Sequence, residues 1–207
     1  MYLQSLRSNV SREAALAAFR GRGPAGWLRT ALHGPLRSVA DVYVPFRLFR
    51  VHIDTGNGER NEVLALDAVT GNFDLYAFPS TPSNGELVNV ITRNCPPATI
   101  DADQAVQLMT ERVRRMAYSG GFFRLRRLEI LVEPAGLDFH VPYWVAFSGW
   151  GEQAHLVVMD AVRRRMEGAK VREAIKAWVC GAMEAIAATE NPAAAKAAPF
   201  SGSLGHS

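Results

Sequence analysis

The residues that could do chemistry are few in this chain, and their spacing speaks against a catalytic centre. Cys95 and Cys180 lie far apart and neither sits in a C-x-x-C pair. A structural zinc site takes about four ligands in local pairs, so none is readable. Cys95 precedes two prolines with no histidine beside it in sequence, and Cys180 falls on the flank of the last helix, where a core role is expected. His52 and Asp54 share a strand face at i, i+2 but find no third ligand. His140 and His155 lie on strands expected to pair. A hairpin closing over 149–153 sets His140 opposite Val162 and His155 opposite Phe147, roughly 20 Å apart at about 3.3 Å per residue. They cannot share a metal. The chain contains no G-x-S-x-G elbow, Walker loop, strand-borne G-x-G-x-x-G or H-E-x-x-H. The run Gly21-Arg22-Gly23-Pro24-Ala25-Gly26 follows a helix and contains proline, unlike a phosphate loop. No catalytic residue, metal ligand or cofactor is expected.

What remains is chemistry suited to binding. The candidates are Arg7, Phe19, Arg20, Trp27 and Arg29 near the N-terminus, and Arg47, Trp144 and Trp150 on the strands and a turn. Phe200 and Leu204 in the tail complete the set. Residues 1–50 hold eight Arg against two acids, whereas residues 51–100 hold two Arg against six acids. That asymmetry hides inside an overall charge of +3. Arginine gives fixed, bidentate contacts with carboxylates and phosphates. Two arginine clusters, Arg124 with Arg126 and Arg127, and Arg163 to Arg165, could attract nucleic acid. Strand alternation divides the first, and Glu129, Glu133 and Glu167 intervene, so nucleic acid is disfavoured.

The elements that must position these residues follow from periodicity. Of 207 residues, 48% are apolar and 21% charged, which fits a globular domain and excludes a disordered or collagen-like chain. Residues 1–38 read as a basic, partly helical arm. Ser11 caps a helix through Arg20, the Gly/Pro run breaks it, and a short piece from Trp27 to His33 ends at Gly34-Pro35. Neither piece is long enough to be stable alone, so each needs a surface. Residues 39–100 form a first β-rich repeat with strands from Val39, over Glu62–Val69, Phe73–Phe78 and Leu87–Thr92. Residues 101–188 form a second: a helix capped by Asp101 and Gln104, strands Phe122–Glu133, Leu137–Phe147 and Ala154–Val162, and a helix from Ala169 to Ala188. Residues 189–207 have the composition of a linker.

The sequence repeats itself. Val42-Tyr43-Val44-Pro45-Phe46-Arg47-Leu48-Phe49 matches Phe139-His140-Val141-Pro142-Tyr143-Trp144-Val145-Ala146, and Leu64–Val69 matches Val157–Val162. Each copy reads as a hairpin whose first strand carries a proline, marking an edge or a bulge. Each second strand ends in an aspartate, Asp67 or Asp160, whose carboxylate is expected to accept turn amides. Asp67-Ala68-Val69-Thr70-Gly71 resembles the D-A-x-T-G element of the PepSY-like family of small α+β modules; Asp160-Ala161-Val162-Arg163-Arg164 departs from it at the Thr-Gly. The resemblance implies a binding or inhibitory module, of a kind often exported, and specifies no chemistry.

The expectation is therefore an α+β fold of two tandem helix-plus-antiparallel-hairpin repeats, PepSY/cystatin-like, forming a sheet packed against helices, with extended N- and C-terminal arms. Its role is that of a non-catalytic accessory or structural subunit, an adaptor binding protein partners in a larger complex or homo-oligomer through its arms and an aromatic/Arg sheet face. One alternative is a small-ligand-binding protein or enzyme with a cystatin/NTF2-like cavity. Another is a peripheral protein held on an anionic membrane by residues 1–33, where Leu3, Leu6, Phe19, Trp27 and Leu28 mix with Arg. The chain shows no apolar run of about 18–20 residues, so no transmembrane segment is expected. Its unpaired cysteines point to the cytoplasm. The Arg-rich, acid-poor first 23 residues share the composition of an organelle transit peptide.

Overall fold

A computed structural model describes residues 1–21, 23–56, 58–83, 85–119, 128–150 and 154–190, without the side chains of Ala25 and 182–190. The chain divides into two units, Met1–Arg172 and Glu173–Ser207. The first holds a curled mixed sheet with helices against it, an α+β arrangement. In chain order its strands are β1 (Tyr2–Leu6), β2 (Leu36–Asp54), β3 (Glu59–Asp67), β4 (Tyr76–Phe78), β5 (Leu87–Ile91), β6 (Glu129–Ser148), β7 (His155–Asp160) and β8 (Arg165–Met166). The helices are α1 (Arg12–Arg20), α2 (Gly23–His33), α3 (Ala102–Ser119) and α4 (Ala169–Glu190), the last entering the second unit. The strands run in the order β4-β3-β2-β6-β1-β5, and β7 pairs with both β6 and β8.

The sheet is organised around β2 and β6, which pair antiparallel over most of their length. Val44 faces Val141, so the two V-P-aromatic segments face each other across this pair. Their hairpins keep the same register: Phe46 pairs with Asp67, and Tyr143 pairs with Asp160. Pro45 and Pro142 lie in central strands, yet each sits where its outer partner ends. Ala68 N–H donates to Pro45 O at 2.8 Å, and Ala161 N–H donates to Pro142 O at 3.1 Å. A residue's N–H and C=O point to the same side of a strand, so each proline's missing donor faces the end of the ladder, where it disrupts little.

Both aspartates are fully buried and hold their turns. Asp67 Oδ1 accepts from Val69, Thr70 and Gly71 N–H, and its Oδ2 accepts from Phe73 N–H at 2.9 Å. Asp160 Oδ1 accepts from Val162 and Arg163 N–H at 2.8 and 2.7 Å. The departure from D-A-x-T-G leaves Asp160 with two turn amides where Asp67 has four, yet the left-handed position is kept. Gly71 has φ +66°, and Arg164 at the corresponding place has φ +57°, so an arginine takes up the left-handed conformation that glycine adopts without strain.

Two of the helices each cover a hairpin distant from them in sequence. Ala15 and Phe19 of α1 share a buried cluster with Ala146, Met159 and Ala161 of β6–β7. Ala105, Met109 and Val113 of α3 pack with Phe49, Leu64 and Leu66 of β2–β3. Ser11 accepts from Ala14 N–H at 3.2 Å and Asp101 from Gln104 N–H at 2.8 Å, the expected N-caps. Just before those caps, Asn9 N–H donates to Ala161 O at 2.8 Å and Thr99 N–H donates to Ala68 O at 2.9 Å. Between the two clusters lies an aromatic centre in which Phe46 stacks on Phe139 and meets the edges of Phe73 and Tyr76.

Several expectations need correcting. The basic arm of residues 1–38 is not extended, and the surface it lies on is its own chain: β1 pairs antiparallel with β5 and parallel with β6, and α1 is docked. Ser5 is fully buried and donates to His140 O at 3.1 Å, a partner 135 residues away. The second helix begins at Gly23 rather than Trp27, with Pro24 in the first turn, where no N–H is needed. The strands expected to break around Pro134–Gly136 form one strand, β6. Its register against β2 shifts between Arg47 and Phe49, a bulge at which Gly136 has φ +70°. Cys180 is exposed rather than core. It follows buried Val171 by nine residues, about half a turn around the helix at roughly 100° per residue. Residues 122–127 of the expected strand, Arg124, Arg126 and Arg127 among them, lie outside the described residues, as does the tail from 191 onward.

Candidate functional site

The ten residues expected to bind partners separate into three groups. Phe19, Arg29, Trp144 and Arg47 are used inside the fold. Phe19 is 4% exposed within the α1 cluster, so it cannot meet a partner without unfolding the helix. Arg29 donates from Nη1 to Ala18 O and Phe19 O at 3.2 and 2.8 Å, tying α2 to the end of α1. Trp144 donates from Nε1 to Val10 O at 2.9 Å, so the N-terminal segment covers this outer sheet face. Arg47 faces Asp138 with Nε–Oδ2 3.8 Å, and its Nη1 is buried without a hydrogen-bond partner. Arg7, Arg20, Trp27 and Trp150 are exposed. Phe200 and Leu204 lie outside the described residues. Leu3 and Leu6, read as membrane-facing, are instead buried in the sheet.

Of the exposed group, Trp27 lies on α2, and Arg20 and Trp150 line depressions beside it. Of the large apolar residues there, Trp27 is 74% exposed, Leu28 54% and Leu32 67%, and Trp150 beyond β6 is 62% exposed. Positions 27, 28, 31 and 32 make one stripe of a helix, and it points outward because the opposite side is fixed to the body. Gly26 is buried where a Cβ would lie 2.9 Å from Arg20 O and 3.0 Å from Gly21 C. At the other end, Gly34 has φ +79° and a Cβ there would lie 2.5 Å from the Gly149 carbonyl carbon. Only glycine permits both the turn and this approach. Gly149 N–H donates to Pro35 O at 3.2 Å, closing the junction.

This junction carries two histidines. His33 at the end of α2 stacks on His155 at the start of β7, with ring centroids 4.1 Å apart and 9° between planes. Partial burial lowers the His155 pKa below its ordinary value, and the nearby charges of His33 and Arg172 push it the same way. Leu32, His33, Trp150 and His155 line a depression of about 240 Å³. α2 contains no acid, and Arg20 and Arg29 lie nearby, so the surface is apolar with a cationic margin. Trp27 and Trp150, candidates from the sequence, are exposed here. Leu32, His33 and His155 were not among those candidates, although the 27/28/31/32 stripe opposite Gly26 and Arg29 carries the signal.

The other residues weighed for chemistry do not meet. His52 Nδ1 lies 2.8 Å from Asn61 Oδ1, while Asp54 Oδ1 accepts from Gly56 N–H at 2.7 Å. His140 donates from Nδ1 to Gln4 O at 3.0 Å, and burial lowers its pKa. Burial also pushes up the Cys95 thiol, which makes it a poor nucleophile. Among the described residues no group of three or more His, Cys, Asp or Glu could hold a metal, and no helix is long and apolar enough to cross a membrane.

Compared with family models, with curated proteins and with solved structures, the chain matches none.

Proposed function

We propose that this protein is a non-catalytic accessory subunit that docks a partner protein on the stripe of Trp27, Leu28, Leu32 and Trp150. One observation carries the reading: a helix fixed to the body by two close glycine contacts turns its large apolar side chains to solvent. Contiguous exposed apolar groups on an otherwise well-packed domain mark interaction sites, and tryptophans dominate the energetics of such sites. The cationic margin fits a partner whose apolar face is rimmed by acids. The matched registers, turns and caps of the two halves support reading the body as a duplicated module of PepSY-like kind, a rigid mount for this face.

The experiment is site-specific photocrosslinking from position 32 in cells that make the protein naturally. The expected result is one protein adduct of defined mass, reduced at least tenfold by Trp27→Ala with the melting temperature unchanged. A ladder of unrelated adducts, or an adduct indifferent to Trp27→Ala, would overturn the reading. The absence of acids from α2 favours a second reading, in which the same stripe lies on an anionic membrane. Co-sedimentation with phosphatidylserine vesicles, lost in Trp27→Ala, would select it.

A further inference from the structure

A second surface, lined by none of the residues of the docking stripe, is a groove of about 610 Å³ between α3 and the segment joining β3 to β4. Its charges are Arg112, Arg115, Arg163, Arg165 and Lys170 against the single carboxylate of Asp74. Arg165 is already paired, 2.5 Å from Asp74 and 3.4 Å from Glu167. Among the described residues, the other four cations form no ion pair.

Two of the four are held in place. Arg112 donates from Nη1 to Phe73 O, and Arg163 donates from Nη2 to Leu75 O. The Arg163 guanidinium also lies 3.6 Å over the Tyr76 ring, and the Tyr76 hydroxyl donates to the buried Asp160 carboxylate. Thus two carbonyls, two residues apart, set two planar guanidiniums along one groove. Each uses one of its five N–H donors on a carbonyl. Burial and the neighbouring Arg115 disfavour charge on Arg112 while Asp67 and Asp74 favour it; its hydrogen bond is to a neutral carbonyl, so this half-buried cation gains from an anion in the groove. Beside these charges the groove offers Leu75, Leu108 and Met116.

We propose that this groove binds a small organic phosphate, with the phosphoryl oxygens between Arg112, Arg115 and Arg163 and an apolar body over Leu108 and Met116. Four unpaired cations call for a compact, multiply charged anion, and a monocarboxylate would leave most of them unmatched. The volume falls within the range of small-molecule sites, about 300–1,000 Å³.

The test is titration calorimetry of the full chain in low salt with adenosine diphosphate, inorganic pyrophosphate and citrate. Adenosine diphosphate is expected to bind most tightly, pyrophosphate less so, and citrate at least tenfold more weakly than pyrophosphate. Arg112→Gln with Arg163→Gln should weaken both phosphates at least tenfold, and Met116→Ala should weaken adenosine diphosphate alone. Because Arg112 and Arg163 also brace the fold, Arg115→Gln, on exposed helix surface, provides the second variant, with a loss of about threefold or more. Arg7→Gln, elsewhere on the surface, should change nothing. Citrate binding as well as pyrophosphate, affinity unchanged in Arg115→Gln, or no phosphate binding below millimolar concentrations would each overturn the proposal. So would binding of a single-stranded oligonucleotide with no binding of adenosine diphosphate.

Discussion

At the residue scale, the two buried aspartates show what a sequence can and cannot reveal. Their role as acceptors for turn amides is local, and it is readable because a strand-end Asp followed by a turn has few other uses. The bond from Tyr76 to Asp160 joins residues 84 apart, and nothing in the spacing announces it. Arg164 is a case where the structure improves on the pattern: the turn survives without its glycine, at the expense of a left-handed arginine. Arg164→Gly should therefore stabilise the fold by roughly 0.5–1 kcal/mol, the strain removed less the entropy glycine adds to the unfolded chain, read as a higher denaturation midpoint. His155 supplies a pH dependence. Burial and its cationic neighbours hold its folded pKa below the ordinary 6.5. Above 6.5 it is neutral in both folded and unfolded chains, so its contribution to stability is intact there. That contribution is lost as pH falls from 6.5 through the lower folded value. Between pH 7.5 and 5.5 the wild-type melting temperature should fall more than that of His155→Gln, and the His155 ring signal should titrate below 6.5 by NMR.

At the element scale, legibility follows the range of the contacts. The capped helices α1 and α3 and the paired hairpins rest on local periodicity and appear close to where the pattern puts them. β1 escaped because Tyr2-Leu3-Gln4-Ser5-Leu6 is short and half polar, and only β5 and β6, distant in sequence, make it a strand. The continuity of β6 through Pro134 to Gly136 likewise depends on β2, against which the extra residues of β6 form a bulge. The position of α2 depends on Gly34, whose positive φ and close approach to Gly149 leave no room for a side chain. Gly34→Ala should cost about 2–3 kcal/mol, seen as a lower denaturation midpoint. It should also increase hydrogen exchange across α2 more than across α3. Uniform exchange in both helices would show that the junction does not set the helix.

At the scale of the whole molecule, the α+β class was legible because alternating and helical periodicities mark separate segments of the chain. The packing of α1 on β6–β7 and of α3 on β2–β3 was not, since these contacts join segments distant in sequence. Once α1 covers β6–β7, Phe19 of the N-terminal arm and Trp144 of the sheet face are committed within the fold, while Trp27, Leu28 and Leu32 of α2 face outward. That helix face is the docking surface proposed for this protein. Native mass spectrometry of the tagged protein, isolated gently from cells that make it, tests this most directly. The wild type should carry a stoichiometric protein partner, and Trp27→Ala/Leu32→Ala should emerge alone with the same melting temperature. A wild type recovered only as a lone monomer, or a complex that the double substitution leaves intact, would contradict it.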